Sequence, residues 1–389
     1  MMHGPISRRS LLAGAAAGSA LALAPAATAR ADATPITAHP DRRWDGLFNA
    51  YSDSGIGWTG ADSTYSVPLP DGRIVWIFSD TFLGPVGPGR PSHSPPARPK
   101  IGRPRTAPFL HNSFIVQTGS HLRTVYGGTA GAPDSLVSPA GADPDTSWYW
   151  AAAGTIGPGT LDVVYNRYDK TGPGVFDFAW SGSVLARFGL LDQRLIDVTD
   201  LPSARPNIQS GSWLSYERGW TYHYRIEDLS SEKYLHIARV RGHDLRQPWE
   251  FFTGSGWSPH EADSVRVLDR ISGQFSVTRD QGRYVLITHD TSEPFSSRIV
   301  AYFATTPVGP FTDVTPVYST PETGAAGTYG NPNVFTYNSC AHPELSRPGH
   351  LLVSYNVNSF EPDDLYRDVS IYRPRFIDVD ISARRVQHS

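Results

Sequence analysis

Cysteine is almost missing from this chain: Cys340 is the only one in 389 residues, so no internal disulfide can form and stability rests on packing alone. A lone thiol is also a weak case for a nucleophile, and Cys340 reads as a small buried residue near a strand. Charge of one sign is lacking too. With 34 basic and 37 acidic residues the net charge is −3, and no run of like charges occurs. Such a surface offers no field for nucleic acid or an anionic membrane, and neither is expected as a partner. Beyond the first thirty residues no stretch approaches the roughly 20 apolar residues a membrane span requires. Helical periodicity is nearly absent. No His/Cys/Asp set has zinc-ligand spacing, and there is no Gly-x-Ser-x-Gly elbow or dinucleotide fingerprint, so no metal and no cofactor is expected.

What is present begins with an address. Ser7-Arg8-Arg9-Ser10-Leu11-Leu12, an Ala/Leu/Gly-rich run to Pro25 and Ala29-Arg30-Ala31 read as a twin-arginine export signal with its cleavage site. Residues 1–31 are therefore read as signal peptide and 32–389 as one mature, secreted domain. The twin-arginine route carries proteins already folded, which suits a chain without disulfides. A content of 39% hydrophobic and 12% aromatic residues is enough for a large core.

The mature part repeats one pattern: a turn with glycine, then an apolar or alternating strand that ends in polar residues. It occurs at 72–80, 161–166, 219–224, 282–290 and 349–356, the later copies about sixty residues apart. Second strands follow, as at 297–304, and Val369–Tyr372 and 376–379 read as outer strands of the last unit. Five such units predict an all-β fold, a five-bladed β-propeller, with the segment near Trp44 completing the final blade. The rival is a pair of β-sandwiches, disfavoured by the even spacing and the lack of a linker. The Pro/Gly/Arg-rich stretch 85–108 can neither pack nor form a strand and is read as a surface loop on blade one.

In a propeller, polar residues from separate blades meet in one central depression, so a site is read across repeats. The stretch 51–84 gathers Asp53, Asp62 and Asp80 among glycines, small hydroxyl residues and tryptophans. Asp80 ends the apolar strand 74–78, where a carboxylate must be solvated, paired or functional. Paired carboxylates beside aromatic faces suit glycoside hydrolysis, which needs one protonated and one ionised acid. Asp62 and Asp80 are the leading catalytic candidates; the strand before Asp80 should desolvate it, which favours Asp80 as acid and Asp62 as base, and the swapped assignment stays open. Asp53, Trp58, Asn112, Asn166, Glu217, His289, Asp290, His342, Glu344 and Asn356 are the expected substrate-binding residues. Each has a plainer reading as a turn, core or surface residue; Asp71, before Gly72, is read only as a hairpin residue.

Trp58-Thr59-Gly60-Ala61-Asp62, Leu69-Pro70-Asp71-Gly72-Arg73 and Trp76-Ile77-Phe78-Ser79-Asp80-Thr81 together resemble the start of exported actinobacterial proteins related to the bacterial endo-D-arabinanases. These are five-bladed propeller glycoside hydrolases. Pro307–Phe311 and 342–345 are similar to segments of five-bladed glycosidases in general. The resemblance implies Asp62 and Asp80 as the catalytic pair, and as substrate D-arabinan, the furanose polymer of mycobacterial arabinogalactan and lipoarabinomannan. Ser63 and Ser79 stand where that family has glycine, which points to a sister family. A second version, similar to other five-bladed furanosidases, takes Asp53 or Asp62 as base and Glu217 as acid. The expected partner is thus a cell-wall polysaccharide, bound by a monomer and cleaved with inversion. The alternative is a secreted lectin-like propeller that binds glycan without cutting it.

Overall fold

The computed structural model describes residues 35–87, 93, 107–203 and 205–382. The expected export signal, 1–31, lies outside the described residues, as does most of the expected loop 85–108. The described part is all-β in character, and among its residues no helix is long and apolar enough to cross a membrane. Five antiparallel sheets of four or five strands follow one another along the chain. They open with Tyr65–Pro68, Ser147–Ile156, Ile208–Glu217, Phe275–Asp280 and Val334–Ala341. Each opening strand packs on the opening strand of the next sheet. The fifth sheet in turn reaches the first, through the Tyr337–Asp62 and His342–Ser66 contacts.

The repeated motif supplies the second strand of every sheet: Ile74–Phe78, Thr160–Lys170, Trp220–Asp228, Arg283–His289 and His350–Ser359. Its glycine is what makes the turn. Gly72, Gly159, Gly219, Gly282 and Gly349 all have φ between 77° and 86°, a left-handed conformation that costs other residues energy. At Arg218-Gly219 and Gln281-Gly282 both residues have positive φ, as the tightest hairpins need to match strand twist.

Two expectations near the chain ends are corrected. The Trp44 segment is not a strand. Arg42–Asp53 is a helix, begun by Asp41, whose carboxylate accepts from the backbone N–H of Arg43 at 3.0 Å and of Trp44 at 3.2 Å. It buries Trp44 and Phe48 against Trp58, Trp76, Phe78 and Phe376. The strand that completes the fifth sheet lies just upstream: Thr37–Pro40 pairs with Arg375–Asp380, register Thr37↔Asp380 to Pro40↔Ile377. Val369–Tyr372 is a 3-10 turn, not an outer strand, because the Asp368 side chain caps it through the Ser370 N–H.

A small sheet positions the site. Trp58–Ala61, Thr81–Leu83 and Phe109–Leu110 pair with one another beside the first large sheet. Three chain segments cross between the two sheets, at 62–64, 79–80 and 111–112. Gly60 allows the close fit this demands: a Cβ there would stand 2.7 Å from the Tyr372 carbonyl oxygen.

Candidate active site

The three crossings carry Asp62, Asp80 and His111. Backbone bonds fasten the first two crossings together, from Asp62 N–H to Asp80 O at 3.3 Å and from Ser79 N–H to Asp62 O at 3.1 Å. The two aspartates are thus cross-strand neighbours, one step beyond the Ala61↔Thr81 pair. Ser63 and Thr64 hold Asp62 in place at a cost, since both lie in the left-handed region, at φ 74° and 46°. Such a conformation persists only where the surroundings over-determine it. Here the Gln274 amide donates to Ser63 O, Ser63 Oγ to Ser79 Oγ at 2.8 Å, and Asn356 Nδ2 to Thr64 Oγ1 at 2.9 Å.

The two carboxylates have different environments. Burial, reinforced by the neighbouring Asp80 charge, pushes the Asp62 carboxyl up to about 7. Tyr337 opposes this by donating its hydroxyl to Asp62 Oδ2 at 2.6 Å, and Asn358 Nδ2 donates in turn to that hydroxyl at 3.0 Å. The Tyr372 phenol also lies against Asp62 and favours its charged form. Asp80 faces the other way. Its Oδ1 accepts the indole N–H of Trp150 at 2.7 Å and faces His111 Nδ1 at 2.8 Å. His111 stacks on Trp148, with ring centroids 5.0 Å apart, and its Nε2 faces the Pro144 carbonyl at 3.1 Å. Asp62 is thus the carboxyl that burial holds protonated. The strand before Asp80 buries its own side chains, but the carboxylate lies against the Trp150 indole N–H of the second sheet and the His111 ring of the third crossing.

The other expected residues scatter. Asn356 belongs to the site's support, through the Thr64 bond and a longer one to Ala61 O at 3.4 Å. Asn112 sits beside His111 but is fully buried, its amide spent on the Val137 and Tyr149 backbones. Asn166 is likewise a clamp, between the second and third sheets, bonded to Ser210 O and Ser183 Oγ. Trp58 is core, packed on Phe48 and Phe78, with no face left for a sugar. Asp53 ends the helix and pairs with Arg373 at 2.8 Å. Glu217 lies at the end of its strand remote from Ser210, held near Arg218 and Arg279, away from the Asp62 crossing. His289 is buried with neither ring nitrogen hydrogen-bonded, which pushes it down to about 3. Asp290 beside it is tied to Arg298 and Ser292. His342 and Glu344 meet at Ser66, at the end of the Val334–Ala341 strand away from Tyr337.

Tyr337, Tyr372 and His111 carry no signal in the sequence that links them to the aspartates. Tyr337 is 275 positions from Asp62, and only the return of the fifth sheet to the first joins them. Trp150 is one of several tryptophans beside loops, and nothing local sets it apart. Among the described residues no group of three or more His, Cys, Asp or Glu could hold a metal ion.

A family model described as "Domain of unknown function (DUF5005)" matches residues 41–381. No curated protein matches the sequence. Among solved structures, a candidate hydrolase from Bacteroides ovatus ATCC 8483 is similar at 21% identity, with a TM-score of 0.72 over 88% of this chain and 90% of that one. The GH43_1 enzyme from Xanthomonas citri complexed with xylotriose aligns at 14% identity and a TM-score of 0.44, covering 86% and 92%. An alpha-L-arabinofuranosidase from Podospora anserina in complex with cellotriose aligns at 10% and 0.45, covering 90% and 98%.

Proposed function

The chain belongs to the family described as domain of unknown function DUF5005, and from that premise we propose that it is a secreted glycoside hydrolase built as a five-bladed β-propeller. The observation that carries this reading is the unequal carboxylate pair. Asp62 holds a proton up to about pH 7, while Asp80 accepts the Trp150 indole N–H and lies against the His111 ring. Glycoside hydrolysis needs one carboxyl to give a proton and one carboxylate to take one. The five sheets, each packed on the next and the fifth returning to the first, support the propeller. The likeness to the Bacteroides ovatus structure bears on that fold alone.

In the proposed reaction Asp62 is the acid and Asp80 the base, the reverse of the assignment expected from the strand pattern. The Asp62 proton passes to the glycosidic oxygen as the bond to the anomeric carbon breaks. Asp80 takes a proton from the water that attacks this carbon from the opposite face, and the anomeric configuration inverts. Trp150 and His111 orient the base; Tyr337 and Asn358 orient the acid. The substrate class is a neutral cell-wall polysaccharide with furanosidic linkages, D-arabinan first, and the enzyme works as an exported monomer. Asp53, Trp58 and Glu217 have no part in this scheme.

Asp62→Asn and Asp80→Asn are each expected to lower the release of oligosaccharides from arabinan at least about a thousandfold. Two variants with near wild-type rates would remove the pair. Following the anomeric proton of the first product by NMR tests the stereochemistry, and a retained configuration would make Asp80 a nucleophile. Binding of arabinan without any cleavage by the wild type would instead support the lectin-like alternative.

A further inference from the structure

Most phenylalanines of this chain are interior, but Phe176 and Phe295 are 56% and 48% exposed. They come from different sheets. Phe176 lies at the tip of the connection between Thr160–Lys170 and Phe178–Gly189, and Phe295 on the loop between Arg283–His289 and Arg298–Ala304. Both converge on Phe360, just after the His350–Ser359 strand, with ring centroids 6.4 Å and 4.8 Å away. Phe335 completes the group, 4.4 Å from Phe360 and 4.7 Å from Phe295. The cluster leads directly to the candidate acid. Phe335 packs on Tyr337 at 5.4 Å, and Tyr337 donates to Asp62.

Phe295 is also held in the left-handed region, at φ 50°, where a bulky side chain is an outlier. Burial does not explain this conformation, since the residue is 48% exposed. Strain of this kind collects at ligand-binding positions, where the ring's placement matters more than its comfort. On the loop that carries the ring, Asp290 and Glu293 both pair with Arg298, which leaves one negative charge in excess there. A flat apolar surface next to carboxylates favours the apolar face of an uncharged sugar and disfavours a uronic acid.

We infer that Phe295 and Phe360, walled by Phe176, form a subsite that stacks one neutral sugar ring of the glycan next to the linkage lying over Asp62 and Asp80. The subsite rests on the glycoside hydrolase reading and adds to it which part of the molecule grips the chain and which sugars it refuses. Phe295 and Phe360 act here as specificity-determining residues.

The test uses the whole exported protein. Binding of neutral arabino- and xylo-oligosaccharides, and of oligogalacturonides as the anionic counterpart, is measured calorimetrically on the Asp62→Asn protein with and without Phe295→Ala, Phe295→Gly or Phe360→Ala. Each of the three changes is expected to weaken binding of the preferred neutral oligosaccharide about tenfold. In the active enzyme the same changes raise KM more than they lower kcat. Leu191→Ala, an exposed apolar residue of the second sheet, leaves binding unchanged. Phe295→Gly relieves the left-handed strain, so its Tm should match or exceed that of Phe295→Ala while its binding is equally weak. Unchanged affinity in the Phe295 and Phe360 variants overturns the subsite and leaves the hydrolase reading standing. So does tighter binding of oligogalacturonides, or a wild-type dimer that Phe295→Ala dissociates. If no oligosaccharide binds the Asp62→Asn protein and the wild type cleaves none, the hydrolase reading fails and the subsite falls with it.

Discussion

At the scale of single residues the decisive feature is that one oxygen of Asp62 answers to a phenol. Tyr337 stabilises the charged form of a carboxyl that burial otherwise pushes up to about 7. Removing the hydroxyl in Tyr337→Phe should raise that value by roughly one unit, the worth of one hydrogen bond to a charged group. Asp62 must be protonated to act as the acid, so activity is lost as pH rises through its pKa. The alkaline limb of the kcat profile should therefore move to higher pH in the variant. A limb that stays in place or moves down would show that Asp62 is not the proton donor.

The element that matters most is the crossing at 62–64. Two successive non-glycine residues with positive φ set the direction in which Asp62 leaves the small sheet, and bonds from four other segments hold them there. Gln274 reaches Ser63 from 211 positions away, at the start of the fourth sheet. Gln274→Ala should loosen the crossing without emptying the core. Displacing a reacting group by about 1 Å costs on the order of a hundredfold in rate. We expect kcat on arabinan to fall at least about tenfold while Tm drops only a few degrees, as activity assays and calorimetry on the same preparation would record. Full activity in this variant would mean that the strained turn has no bearing on the carboxylates.

Over the whole molecule, the seam between the fifth and first sheets is closed by ionisable groups. Ser66 donates to Glu344, and its Oγ lies 2.5 Å from His342 Nδ1. Burial raises Glu344 from 4.5 to about 7. Below pH 4.5 the folded and unfolded states are both protonated there, and no difference arises. Between 4.5 and 7 the unfolded chain releases a proton that the fold retains, so stability drains as pH rises, and above about 7 the full penalty applies. Buried histidines act in the opposite sense. His236 is lowered to about 4, and His289 and His342 to about 3, so stability is lost as pH falls from 6.5 toward those values. A variant compared with wild type separates the two effects. Glu344→Gln, which can still accept from Ser66, should gain in Tm relative to wild type between pH 5 and pH 8. A constant difference across that range would place the Glu344 charge outside the seam's energetics.

Much of this organisation is legible in the sequence because it is local. Glycines at the turns and apolar runs after them specify the second strand of each sheet, since φ preference and side-chain alternation act over a few residues. The same locality put Asp80 at the end of a strand; Asp62 drew attention from its Gly-rich surroundings, and the strand Trp58–Ala61 before it was not legible there. It also misled at the chain ends, where aromatic residues near Trp44 read as a strand; a capping Asp41 and a helical face that buries Trp44 and Phe48 made a helix instead. Which aspartate is desolvated depends on what packs over it, and Tyr337, Trp150 and His111 reach the pair from other sheets and loops through contacts that span 31 to 275 positions. The sequence by itself determined the strands, the turns and the presence of two carboxylates. Only the tertiary structure decided their unequal environments, because burial and charge depend on the neighbours that the return of the fifth sheet to the first brings together.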